Sequence, residues 1–185
     1  MAKRDRDILK RAVAGAIFAL SLALPVRAVA GDVAELDCAV AGLTAADGAA
    51  LIQPHAAGDA PPSAAVQTLV ACARRFEWTR EEFAAAAHYI PSYLGRINFS
   101  NVLQGHGLDL DRIARDVLAD AALIGAAVEL RRDPPELRAF MQRLLPTLGS
   151  WPARHGRDRA SLEALGGFVA ATALAEGARR RFSRY

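Results

Sequence analysis

Between Val117 and Leu130 the chain reads VLADAALIGAAVEL, apolar in nearly every direction around a helix and broken only by Asp120 and Glu129. A helix apolar on all sides must be wrapped by other helices or lie in a membrane. The run is shorter than the roughly 20 residues that a bilayer crossing requires, so wrapping is the solution open to it. Upstream the pattern turns amphipathic, with Leu110, Ile113 and Val117, and then Ile124 and Val128, at helical spacing. The whole stretch opens on Asp109 and Asp111 and closes on Arg131 and Arg132, charges that complement the helix macrodipole at both ends. The expectation is an all-α fold: a compact bundle of about six to seven helices around a central helix near 109–132, with one disulfide and no β-sheet.

The first thirty residues are a separate matter. Lys3, Arg4, Arg6, Lys10 and Arg11 form a basic start, Ala12 to Val26 an apolar run, and Ala28-Val29-Ala30 a small-residue ending. Together these are the marks of a cleavable export signal, cut after Ala30. Pro25 and Arg27 keep the apolar run short of a comfortable membrane span, and Cys38 lies too far beyond Ala30 for lipidation at the cleavage site. Residues 1–30 are therefore read as a signal peptide and 31–185 as a single helical domain with no transmembrane span. The destination expected is the periplasm, or alternatively full secretion.

Six of the 23 Lys and Arg residues and two of the 20 acids lie in the leader, leaving 17 arginines against 18 acids. The basic character of the full chain thus belongs to the leader and gives no reason to expect nucleic-acid binding. Both lysines, Lys3 and Lys10, are also in the leader. A lysine-free remainder excludes P-loop nucleotide binding, Schiff-base chemistry and Ser-Lys catalysis, and no G-x-S-x-G, H-E-x-x-H or G-x-G-x-x-G motif occurs. Arg in place of Lys, with abundant Ala, suggests GC-rich bacterial coding. One concentrated basic patch remains, Arg179, Arg180, Arg181 and Arg184. It reads as cationic residues completing a helix C-terminus, with weak contact to anionic lipid as the alternative.

Cys38 and Cys72, in a chain bound for an oxidising compartment, are expected to form a disulfide. It would contribute on the order of 3–4 kcal/mol by restricting the unfolded chain. Around it the local signals are helical: a cap at Thr44 to Asp47 opening a short helix, a loop at 56–65, and a helix from Pro61 through Ala73. Thr79 and Glu82 form a capping box, with Trp78 and Phe83 as its hydrophobic staple, which fixes a helix start at residue 79. Pro91 is expected to kink or end that helix.

From Pro91 to Leu108 the chain carries its densest set of hydrogen-bonding groups, among them Tyr93, Arg96, Asn98, Asn101, Gln104 and His106. A surface linker is polar in any case, but a ligand site is best sought here, with His88, Tyr89, Tyr93, Arg96 and His106 as candidate binding residues. No two of His55, His88, His106 and His155 are three or four residues apart, so no helix offers a ready metal face, and neither metal nor cofactor is expected. Asp109 and Asp111 are read as the cap and first-turn acid of the next helix.

In the last third, Asp133-Pro134-Pro135-Glu136 starts a helix that Pro146 and Gly149 end, and a long final helix runs from near Asp158 to about Phe182. Gly166, Gly167, Ala170, Ala171 and Ala173 leave its surface thin, as Gly125-Ala126-Ala127 does for the central stretch. The two are expected to pack closely at these residues, so that Leu at position 126 or 167 would overpack.

Three functions are compatible with this reading. The first is a noncatalytic exported helical protein of the bacterial envelope that binds a protein partner or an envelope component. The second is a small-molecule or lipid binder with a pocket between helices beside residues 88–106. The third is an unusual enzyme built on His88, Arg96 and His106.

Overall fold

The computed structural model describes residues 31–44, 47, 64–131, 134–155 and 158–185. Among these the chain forms eight α-helices and no strand: α1 (Glu35–Val40), α2 (Ala64–Phe76), α3 (Arg80–Leu103), α4 (Leu110–Ala119), α5 (Ala121–Val128), α6 (Pro135–Leu144), α7 (Trp151–His155) and α8 (Arg159–Phe182). A 3-10 turn, Leu145–Leu148, follows α6. The all-α, disulfide-pinned fold expected from the sequence is the one that forms. The leader, most of the short helix after Thr44, most of the 56–65 loop and the Asp133 cap lie outside the described residues.

Local chemistry sets most of the helix starts. The Thr79 side chain accepts from the Glu82 N–H while the Glu82 carboxylate accepts from the Thr79 N–H, the reciprocal capping box. Asp109 accepts from the Arg112 N–H at the start of α4, and Asp158 from the Ala160 N–H at the start of α8. The Cys38–Cys72 disulfide joins α1 to α2, and Trp78 Nε1–H donates to Glu35 at 2.6 Å, tying the same corner to α3's entrance.

Two expectations about helix bounds are corrected. First, α3 does not end at Pro91; it continues for 24 residues through the polar segment to Leu103. Proline's missing N–H orphans the carbonyl of Ala87, which is on the exposed side of the helix, where water can satisfy it. Second, the stretch 109–132 is two helices, parted at Asp120. That residue takes an extended conformation (φ −81°, ψ 95°), accepts from the Leu123 N–H at 2.9 Å, and pairs with Arg143 on α6. The apolar half, α5, is wrapped as expected, burying Leu123, Ile124, Ala126 and Ala127.

The longest elements are α3 and α8, 24 residues each and hence about 36 Å long. They are packed antiparallel: Phe99 lies against Gly167, Gly95 against Ala171, and His88 feels the charge of Arg181. Two cores share this pair. Leu36, Leu69, Ala85, Tyr89, Ile90, Ala178 and Phe182 form one around the start of α3 and the end of α8. Leu103, Ile113, Val117, Leu123, Phe140, Trp151, Leu165 and Val169 form the other around the opposite ends. No helix among the described residues is long and apolar enough to cross a membrane.

A candidate ligand cavity between the helices

The thin face of α8 does two things. At Gly177 a Cβ would lie 2.6 Å from the Ala127 carbonyl carbon and 2.8 Å from the Val128 nitrogen. This is the close approach of α5 to α8 expected from the sequence, placed ten residues further along α8 than Gly167. At Gly167 the neighbour is instead a side chain, the Phe99 ring, whose atoms would lie 2.4–2.6 Å from an added Cβ. Gly125 has nothing within 4 Å of its Cβ position and takes no part in the contact.

Between these two points Ala170, Ala171, Ala173 and Leu174 of α8, with His88, Pro91, Ser92 and Gly95 of α3, line a cavity of about 550 Å3. Leu123 and Ala127 of α5, Leu130 and Arg131 beyond it, and Pro134 with Leu137 of α6 complete the wall. Small-molecule sites are commonly apolar clefts of roughly 300–1,000 Å3 carrying a few placed polar groups. Leu130 lines the cavity in the left-handed region, φ 54°, a conformation that costs a branched residue energy and marks a position held by its surroundings. The Arg131 N–H donates to the Ala126 carbonyl at 3.3 Å, closing α5 with this turn.

The polar groups on the wall are already engaged or neutral. Arg131 is paired with Glu129 at 3.0 Å and Glu136 at 2.9 Å. The Ser92 hydroxyl donates to the His88 carbonyl at 2.9 Å. Partial burial, and after it the nearby Arg181 charge, holds the His88 imidazole below its ordinary pKa; a neutral imidazole can both give and take a hydrogen bond.

The five candidate residues from the sequence divide among three places. His88 lines the cavity. Tyr89 is buried in the core beside α1, its ring tilted against that of Tyr93 with centroids 5.6 Å apart; burial, its largest influence, raises its phenol pKa. Arg96 lies two turns beyond His88, about 12 Å along the axis. Its guanidinium sits 5.6 Å over Tyr93, and it lines a separate polar recess of about 260 Å3 with Ser100, Asn101 and Asp111. His106 is elsewhere again, its ring 4.8 Å from His155, which in turn packs on Trp151 at 5.7 Å. His88, Arg96 and His106 thus share no cavity, and no group of three or more His, Cys, Asp or Glu that could hold a metal occurs among the described residues.

Sequence reasoning missed most of the wall. Nothing in the sequence sets Phe99, Leu123, Leu137 and Leu174 apart from other apolar helix residues, and Arg131 reads as a helix-end charge. The Gly167 to Ala173 stretch carried the usable signal, read there as a packing surface. No protein-family model matches the chain, nor does any curated protein or solved structure.

Proposed function

We propose that this is a noncatalytic exported protein of the bacterial envelope, delivered to the periplasm by its leader, which holds a small uncharged apolar molecule between α3, α5, α6 and α8. The observation that carries the reading is the apolar cavity itself, about 550 Å3 in volume and lined where a packed bundle would place large side chains. The ligand class follows from the polar groups on the wall. A charged head group would need an unpaired counter-charge; Arg131 already has two carboxylates, and burying an unpaired charge is costly. A hydroxyl or carbonyl head can use the imidazole of His88. Of the tail arginines, Arg179 and Arg180 both pair with Glu176, which favours the cavity over lipid contact through the tail as the binding element; Arg184 remains exposed there.

The test uses the exported protein and the uncharged fluorophore N-phenylnaphthylamine. Fluorescence should rise on binding and fall when n-decanol is added, with decanoate and decyltrimethylammonium at least ten-fold weaker competitors. Ala170→Phe, which extends a ring into the cavity, should abolish the signal while melting at the wild-type temperature or above. Unchanged fluorescence in that variant would remove the cavity as the site. The double variant Glu129→Gln, Glu136→Gln frees Arg131 and should improve decanoate as a competitor; no improvement would defeat the argument from paired charge.

A further inference from the structure

Glu82 is fully buried, and only one of its carboxylate oxygens is used. Oε2 accepts from the Thr79 N–H at 2.6 Å, whereas Oε1 has no hydrogen-bond partner. A buried carboxylate oxygen without a donor is costly and calls for an explanation. The residue facing it is Gly31, itself buried, where an added Cβ would lie 2.6 Å from Oε1 and 2.6 and 2.9 Å from the Phe182 ring. One carbon–carbon bond back, the Gly31 Cα is within about 4.1 Å of that oxygen. Gly31 is also the residue that the export signal, with its Ala28-Val29-Ala30 ending, would leave as the first of the processed chain.

We propose that export processing completes this core: cleavage after Ala30 creates a Gly31 ammonium that pairs with the unpartnered oxygen of Glu82. Hydrolysis by the host's signal protease adds water across the Ala30–Gly31 bond, leaving a carboxylate on Ala30 and an amine on Gly31 that takes up a proton. The peptide nitrogen of the precursor carries one hydrogen and no charge; the ammonium supplies three donors and the positive charge a buried carboxylate lacks. Glycine is required at this position because any side chain would meet Glu82 and Phe182. The pair anchors the chain's start to the first turn of α3 and the last turn of α8, so the finished lock exists only after the leader is gone. The inference rests on the export signal and is independent of the cavity.

The other charged groups around Gly31 have their own partners or face solvent. Asp32 accepts from the Ala34 N–H, Glu35 holds Trp78, Arg80 and Glu81 of α3 are exposed, and Arg179 of α8 pairs with Glu176. The nearest part of α8 is the uncharged Phe182 ring. An α-amine titrates near 7.7–8.0 when free. Pairing raises that value in the folded state, so its contribution is complete below pH of about 8 and is lost as pH rises through the raised value.

The full-length chain is expressed in an exporting host and its product sequenced from the N-terminus; Gly31 is expected first, and any other start overturns the proposal. Glu82→Gln keeps the capping box, which accepts Gln in place of Glu, and removes only the charge. It is expected to lower the melting temperature by roughly 5–10 °C at pH 7, with the gap narrowing above pH of about 8. Residues 31–185 contain no lysine, so an acylating amine reagent reports on the Gly31 amine alone. The folded wild-type product should label at least ten-fold more slowly than Glu82→Gln. Equal labelling rates, or equal melting temperatures across the pH range, would show that the amine is free in solution.

Discussion

Gly167 and Gly177 are the same residue on the same helix, ten positions apart, and they serve opposite purposes. At Gly177 the missing side chain lets α8 press directly on the α5 backbone, with Ala127 and Val128 main-chain atoms inside 3 Å of where a Cβ would stand. At Gly167 the missing side chain is covered by the Phe99 ring, and the helices around it remain far enough apart to leave the cavity. A run of small residues therefore specifies nothing about packing until its neighbour is known. Backbone opposite glycine gives a rigid contact; a side chain opposite glycine gives a surface that can rearrange.

Mutagenesis can break this contrast. Gly177→Ala should be the most damaging single change, because a main chain has to move: a loss of roughly 3 kcal/mol or more, read as a fall of about 6–12 °C in melting temperature. A loss below ~1 kcal/mol would mean that α5 is free to slide. Gly167→Ala should cost only about 1 kcal/mol, since the Phe99 ring borders the cavity and has somewhere to go, and ligand-probe affinity should drop with it. Equal costs at 167 and 177, measured by denaturant unfolding, would erase the distinction. Gly125→Ala sharpens the contrast from the other side: its Cβ position is open, so the exchange should stabilise by roughly 0.5–1 kcal/mol through helix propensity alone.

The smallest effect concerns pH at the cavity's polar end. His88 has its pKa lowered in the folded state, chiefly by burial and then by Arg181, so the unfolded chain binds the proton more readily. The contribution of His88 to stability should be flat above pH of about 6.5 and decline as pH falls from there through the lower folded-state value. His88→Gln should remove that acid-side decline; an identical profile in the variant would mean that the imidazole is fully solvated.

What could be read from the sequence was mostly short-range. The Thr79–Glu82 box, the Asp109 and Asp158 caps and the span of α8 each depend on residues within a turn of one another, and each stands where the pattern put it. The Cys38–Cys72 bridge was legible because a chain with two cysteines leaves one pairing. Asp120 is instructive in the other direction: it is a capping residue in plain view, but the apolar run around it invited a single helix. The α7 turn corrects the sequence reading of residues 149–158 as a loop: Pro152 in its first turn favours a helix start, but a segment this short gives no apolar period. Pro91 could not be judged locally. The cost of an interior proline is fixed by sequence, but whether a helix survives it depends on packing along its length, which α8 supplies.

The same division holds for function. The sequence by itself determined a helical region that lacks lysine from residue 31 onward, with its caps and its staple, because these follow from composition and from contacts within a few residues. Only the tertiary structure decided that His88 borders a cavity while Arg96 and His106 face elsewhere, and that Gly31 lies against Glu82. Those arrangements depend on how helices distant in sequence cross, and a single turn of register between α3 and α8 would change every one of them.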